Sequence, residues 1–259
     1  MPFHVVIPAR YASTRLPGKP LLEIAGKPMV QWVVEAAARC GAGEIVVATD
    51  DERIARAVHD PRRPSEPIAF MTAAHHASGT DRIAEVTARK GWGAATVVVN
   101  VQGDEPQIPP EVIDQVAALL ESDARAHMAT LCTPITSLQE FLDPNVVKVV
   151  AADNGDALYF SRAPIPWSRD TAKAGMASQT QFAGAQRHLG IYAYRAEVLQ
   201  TLTRLPASTL EITEKLEQLR ALQAGMRIKV AVAAAVPGPG IDTAEDLERI
   251  RQNLANRSA

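Results

Sequence analysis

Apolar runs of strand length alternate with amphipathic runs of helix length along most of this chain. Phe3–Pro8 reads as a first strand. Pro28–Cys40 reads as a helix, with Pro28 in its first turn and Gly41 just past its end. Glu44–Thr49 is a second strand, Asp51–His59 a short helix, Ile68–Met71 a brief strand and Thr80–Lys90 a helix. Thr96–Val101 is so rich in β-branched residues that it suits a strand covered on both faces. Pro110–Glu121 opens a helix with Pro and Glu. This alternation predicts an α/β fold built on a mostly parallel, helix-covered sheet.

After Met128–Thr133 the rhythm changes. Val146–Ala151 and Ala157–Ser161 flank Asp153-Asn154-Gly155-Asp156, and an Asn-Gly between apolar runs predicts a hairpin with a type I′ turn. Arg169–Gln186 is polar, weakly patterned and expected to be a mobile loop. Arg187–Tyr194 is a strand, Thr209–Ala224 one long helix, Ile228–Val232 the last strand and Thr243–Ala255 the closing helix. The expected organisation is a single domain over residues 1–259. Its hairpin and following loop, near 146–195, contribute to a smaller antiparallel lobe.

Composition narrows the function. The formal net charge of −2 gives no basic field to attract nucleic acid, so an anion site must be built locally. Cys40 and Cys132 stand apart with no CxxC spacing, which suits buried free thiols. No signal-peptide pattern and no membrane-length apolar run is present, and the expected location is the cytoplasm.

The loop after the first strand gathers Arg10, Arg15 and Lys19 at what should be the carboxyl edge of the sheet, where open α/β folds bind ligands. Such a cluster suits a triphosphate, though by charge alone a solvated basic loop is the commoner reading. Asp104, in Gln102-Gly103-Asp104-Glu105, follows the most apolar strand and is placed to hold Mg²⁺; an Asp before such a turn is also a common loop residue. Thr243-Ala-Glu-Asp246 has capping-box spacing, so Thr243 can cap the last helix and leave Asp242 outside it as a second metal ligand. Ser78-Gly79-Thr80 opens a helix, which serves both capping and anion binding. In the helix Thr209–Ala224, Ile212, Leu216 and Leu219 share one side, and Glu211, Glu214 and Gln218 share another, which reads as a solvated face or a sugar-binding one. His188 in an apolar strand reads by itself as a hydrogen-bonded core histidine.

The strings themselves add more. IPARYASTRLPGKPL (Ile7–Leu21), VATDD (Val47–Asp51), HHASGTDR (His75–Arg82), VNVQGDEPQIP (Val99–Pro109), YFSRAPIPW (Tyr159–Trp167), RHLGIYAYR (Arg187–Arg195), LEQLRAL (Leu216–Leu222) and PGPGIDTAEDLERI (Pro237–Ile250) follow one another in order. Together they resemble the 3-deoxy-manno-octulosonate (Kdo) cytidylyltransferases nearly end to end. One departure is His75, where that family usually has Asp before the His-x-Ser-Gly-Thr string.

The resemblance implies a nucleotide-diphospho-sugar-transferase-like fold in which the segment near 146–195 contributes to a smaller sugar-binding and dimerisation lobe, and it implies a homodimer. It implies Mg²⁺-dependent attack of the sugar's anomeric hydroxyl on the α-phosphate of CTP, giving CMP-Kdo and pyrophosphate for lipopolysaccharide synthesis. Carried onto this chain, it gives Arg10, Ser13, Arg15, Lys19, Ser78, Gly79, Thr80 and Arg82 for the nucleotide. It gives Gln102, Arg162, His188, Tyr192, Glu211, Glu214 and Gln218 for the sugar, and Asp104 and Asp242 for the metal. Lys19, Arg10, Arg15 and Asp104 are the expected catalytic residues. Another acidic sugar, such as sialic acid or amino-Kdo, is the nearest alternative, and a non-catalytic nucleotide-binding protein the more distant one.

Overall fold

A computed structural model describes residues 2–12, 16–171 and 175–255. In chain order the strands and helices are β1 His4–Ala9, β2 Glu23–Ile24, β3 Lys27–Pro28, α1 Met29–Ala37, β4 Glu44–Thr49, α2 Glu52–Ala57 and β5 Ala69–Met71. Then come α3 Gly79–Lys90, β6 Val97–Asn100, α4 Pro110–Glu121, β7 Met128–Pro134, α5 Leu138–Leu142, β8 Lys148–Ala151 and β9 Ala157–Ser161. The chain closes with β10 Gln186–Arg195, α6 Ala196–Leu202, α7 Thr209–Glu214, α8 Gln218–Gln223, β11 Ile228–Val232 and α9 Ala244–Ala255.

Among the described residues one nine-stranded sheet runs β11-β7-β10-β6-β1-β4-β5, with β8 on β10 and β9 on β8. The β6-β1-β4-β5 half is parallel, as the sequence pattern requires. β10 enters between β6 and β7 antiparallel to both, so the sheet is mixed. Side chains alternate across each strand and split the core in two. Val5 and Ile7 of β1 face α1 and α4, while Val6 faces α3 and α6. β6 is buried along its whole length, as expected from its composition. Cys40 and Cys132 are free and buried, and burial pushes both thiols up to about 11.

Two sequence expectations fail for physical reasons. The β8–β9 connection is not a type I′ turn, which would need positive φ at both central residues. Only Gly155 (φ 82°) takes that conformation, with its amide donating to Ala152 O at 2.8 Å. The long helix Thr209–Ala224 breaks into α7 and α8, because Lys215 adopts a left-handed conformation (φ 55°, ψ 45°). Leu216 and Leu219 turn into the core while Ile212 stays 54% exposed, so no single apolar stripe runs through both. Arg169–Gln186, expected to be a loop, is irregular up to Ala185, with β10 beginning one residue later, apart from a short 3₁₀ turn at Met176–Ser178; residues 172–174 lie outside the described residues. The sequence reading also missed the β2–β3 ribbon, α5 and α6.

Candidate active site

β1 is the switch point of the sheet: β4 lies on one side of it and β6 on the other. Open α/β sheets bind ligands in the crevice outside the strand ends at such a point. Here a cleft lies over the carboxyl ends of β1 and β6. It is lined by Pro8–Arg10 and Lys19 from the first loop, His76, Ser78, Gly79 and Arg82 from the start of α3, Gln102–Asp104, and Asp242.

Local chemistry positions each group. Gly103 crosses so close over β1 that a Cβ there would lie 3.0 Å from Pro8 O, so any larger residue would push the Gln102–Asp104 turn away from the first loop. Gly18 takes φ 67° beneath the Tyr11 ring, donates its amide to Tyr11 O at 3.2 Å, and starts the 3₁₀ turn Lys19–Leu21 that aims Lys19 into the cleft. The Arg53 guanidinium stacks over the same Tyr11 ring, 3.5 Å from its centroid. Thr243 and Asp246 form the expected capping pair at α9, with Asp246 N donating to Thr243 Oγ1 at 3.1 Å. Asp242 therefore sits just outside the helix. The Ile241 amide donates to Asp104 O at 3.0 Å, which ties the Asp242 segment to the β6 turn. Ile241, Leu247 and Ile250 anchor that segment against Ile24 and Met29.

The outcome is a charge triad. Lys19 Nζ lies 2.6 Å from Asp104 Oδ2 and 3.1 Å from Asp242 Oδ1. Two carboxylates distant in sequence thus converge on one cation, with oxygen donors only. That donor set fits Mg²⁺, which takes one or two carboxylates and completes its shell with phosphate oxygens and water. Among the described residues no group of three or more His, Cys, Asp or Glu side chains could hold a metal ion by itself. Glu105 does not join Asp104. It lines a separate small cavity with Arg187, His188, Gly190 and Gly240, where burial first and the Asp104 charge second push its carboxyl up to about 7.

The nucleotide residues expected from sequence divide into groups. Arg10 is exposed and lines the cleft beside Lys19, Ser78, Gly79 and Arg82. Ser13 and Arg15 lie outside the described residues. Ser78 caps α3 in a reciprocal box with Asp81. Arg82 is buried, bonded to Thr72 Oγ1 and, at 2.9 Å, to Asp50 Oδ2, so it ties α3 to the ends of β4 and β5.

Of the sugar residues, only Gln102 lines this cleft. Behind it, on the α3 side of the sheet, lies a second polar group. The His188 and Tyr192 rings are 5.3 Å apart and those of Tyr192 and Tyr194 5.7 Å. Burial holds His188 neutral, pulling it down to about 3, and its Nε2 lies 3.0 Å from Thr130 Oγ1. Burial also pushes the Tyr192 hydroxyl well up, with Tyr194 and Glu217 adding to the rise. Tyr192 Oη and Gln218 Nε2 are buried without a hydrogen-bond partner among the described residues. Unsatisfied buried polar atoms are costly and mark places where a ligand can bond. Thr80, at the start of α3, lies beside both Tyr194 and Glu217 and links this group to the helix start that lines the cleft.

The remaining sugar candidates have partners within the protein. Glu214 accepts from Ser161 Oγ at 2.6 Å and from Arg162 N at 2.9 Å; Arg162 Nε donates to Glu214 O at 2.7 Å. Glu211 pairs with Arg220 at 2.5 Å and caps α7 with Ser208. Lys148, fully buried, donates to the carbonyls of Asp143, Val146 and Arg162 and so fixes the Arg162 turn. Glu217 was missed by sequence reasoning. Burial first raises its carboxyl, and its only sequence signal was its place in the LEQLRAL string.

Comparison with known proteins agrees with this geometry. The Cytidylyltransferase family matches residues 4–228. A protein of Pseudomonas fluorescens named 3-deoxy-manno-octulosonate cytidylyltransferase is 55% identical, over 97% of this chain and 98% of its own length. One of the same name from Thioalkalivibrio sulfidiphilus is 52% identical, over 98% of this chain and 99% of its own. The solved structure of a CMP:2-keto-3-deoxy-manno-octonic acid synthetase complexed with CTP superposes with a TM-score of 0.87 at 44% identity, covering 99% of this chain and all (100%) of that one. This chain belongs to the 3-deoxy-manno-octulosonate cytidylyltransferase family.

Proposed function

We propose that this enzyme transfers CMP from CTP to Kdo, releasing pyrophosphate. The observation that carries the reading is Lys19 held between Asp104 and Asp242 in the cleft at the sheet's switch point. Arg10, Arg15 and Lys19 would bind the triphosphate and neutralise charge as pyrophosphate leaves, and Ser13, Ser78, Gly79, Thr80 and Arg82 would complete the nucleotide site. Gln102, Arg162, His188, Tyr192 and Gln218 would hold the sugar acid, with Glu214 bracing Arg162 and Glu211 bracing Arg220. Glu217, beside Thr80 and Tyr192, joins them.

The sugar's anomeric hydroxyl would then attack the α-phosphorus in line. Positioning and charge stabilisation dominate phosphoryl-type transfer, so no covalent intermediate is required. Asp104 and Asp242 would hold Mg²⁺, with Lys19 displaced toward the phosphates. Mg²⁺ there supplies charge neutralisation and a lowered pKa for the attacking hydroxyl.

The product would feed lipopolysaccharide assembly, and the enzyme is proposed to act in the cytoplasm without nucleic acid or membrane as partner. No helix of the described residues is long and apolar enough to cross a membrane. We further propose a homodimer formed through the β8–β9 lobe, supported by the exposed apolar side chains of Leu158, Trp167 and Ile212.

The test is pyrophosphate release from CTP with Kdo, with sialic acid in parallel, before and after chelation of Mg²⁺. Release with Kdo that stops on chelation is expected. Release with sialic acid in preference to Kdo would move the assignment to another acidic sugar.

A further inference from the structure

His76 and Glu85 form a pair that the proposed reaction does not use. His76 stands between two cavities, lining the nucleotide cleft with Ser78 and a second one with Glu85 and Asp81, and its side chain is 14% exposed. Its Nε2 lies 2.6 Å from Glu85 Oε2. That carboxylate also accepts from Ala73 N at 2.9 Å and, through Oε1, from Arg89 Nη1 at 2.7 Å. Burial works to raise Glu85, but the Ala73 amide, His76 and Arg89 outweigh it and hold the carboxyl down at about 2. An ionised carboxylate can only accept, so Nε2 must carry the proton. In the neutral ring the other nitrogen, Nδ1, is then an acceptor. It makes no hydrogen bond among the described residues.

The cleft has two chemically different ends. Arg10, Lys19, Asp104 and Asp242 make one end charged and fit for phosphates. At the other end the start of α3 already carries an anion: Asp81 Oδ2 accepts from Ser78 N and Ser78 Oγ, each at 3.0 Å. A phosphate there would meet that carboxylate. Arg82, nearby, is committed to Asp50 and Thr72. The uncharged base of a nucleotide fits this end, where His76 is a lining residue.

We propose that His76, oriented by Glu85, distinguishes cytosine from uracil. Its Nδ1 accepts a hydrogen bond from the 4-amino group of cytosine and faces the lone pairs of the 4-oxo group of uracil. Selection then combines attraction for one base with repulsion of the other. This deepens the CTP reading and rests on it.

The test is kcat/KM for CTP and for UTP at saturating Kdo, with the KM for Kdo measured beside them. His76→Phe fills the space of the ring without an acceptor. It is expected to lower kcat/KM for CTP about tenfold, the scale of one lost hydrogen bond, with no matching fall for UTP and an unchanged KM for Kdo. His76→Asn, whose amide oxygen can replace Nδ1, is expected to keep most of the preference. A CTP/UTP ratio unchanged in His76→Phe, or an equal loss with both nucleotides, overturns the proposal. Should His76→Phe not fold, Glu85→Ala frees the ring and should lower the same ratio; an unchanged ratio there overturns it equally. A wild-type protein that releases pyrophosphate from neither nucleotide with Kdo defeats the cytidylyltransferase reading itself.

Discussion

Lys19 Nζ and Asp104 Oδ2 meet at 2.6 Å although 85 residues separate them in the chain. The contact joins the two loops that leave β1 and β6, and Asp242 completes it from a third segment. The Lys19 side chain is only 13% exposed, so its charge sits where water screens it weakly. Lys19→Met should leave the fold intact, because Met matches the lysine stem and the side chain lines the cleft outside the apolar core. It should lower kcat about a hundredfold or more, the usual scale for a lost group that stabilises transition-state charge. Circular dichroism with steady-state pyrophosphate release checks both halves. A variant with wild-type kcat and a lowered Tm would show that Lys19 is a structural tie and no more.

Asp104→Asn tests the metal proposal separately from the lysine. The change keeps size and hydrogen bonding but halves the carboxylate charge available to a divalent ion. Turnover should fall steeply, and the Mg²⁺ concentration needed for half-maximal rate should rise about tenfold or more. Asp242→Asn should act in the same direction. Rates within a few-fold of wild type across a Mg²⁺ titration would remove Asp104 from the metal site.

Much of the first half was legible because its signals are local. β4 and α4 follow their sequence boundaries residue for residue, since EIVVAT and the Pro-Glu helix start leave little ambiguity. Thr243 and Asp246 likewise announce their capping, and that placed Asp242 correctly outside α9. The α7–α8 break was not legible. No Gly or Pro marks it, and Lys215 accepts a left-handed φ only because Leu216 and Leu219 gain burial beyond it. A continuous helix would put Glu211, Glu214 and Gln218 on one face; the break instead brings Glu217 toward Thr80 and Tyr192. That difference is tertiary, and periodicity does not contain it.

Tyr192→Phe separates binding from stability at the proposed sugar site. The Tyr192 hydroxyl is buried without a partner among the described residues, so removing it should leave folding unchanged or raise stability by about 1 kcal/mol. The same hydroxyl, if it bonds the sugar acid, should raise the KM for Kdo about five- to tenfold on deletion while the KM for CTP stays put. Denaturant melts and kinetics with each substrate varied in turn give the two readouts. A stability loss with both KM values unchanged would place Tyr192 in the core alone.

His188 gives a pH prediction whose sign follows from its burial. Its folded-state value is held down to about 3, against an ordinary value of 6.5, by desolvation where the ring packs against Phe160, Thr130 and Tyr192. Above about pH 6.5 the ring is neutral in both folded and unfolded chains and costs nothing. As pH falls below that value the unfolded chain binds a proton that the folded one refuses, so stability drops by about 1.4 kcal/mol per pH unit until the folded value is reached. At pH 5 the share of this one residue is about 2 kcal/mol. His188→Gln keeps a neutral amide near Thr130 but cannot titrate, so it loses this acid sensitivity. At pH 7.5 the variant should be less stable than wild type, because Gln fills the aromatic site less well. Between pH 7.5 and pH 5 the gap should close by about 2 kcal/mol, or reverse. Urea unfolding of both proteins at the two pH values measures it. A gap that stays constant would mean that the His188 ring accepts a proton in the folded state, and hence that water or a charged partner reaches it.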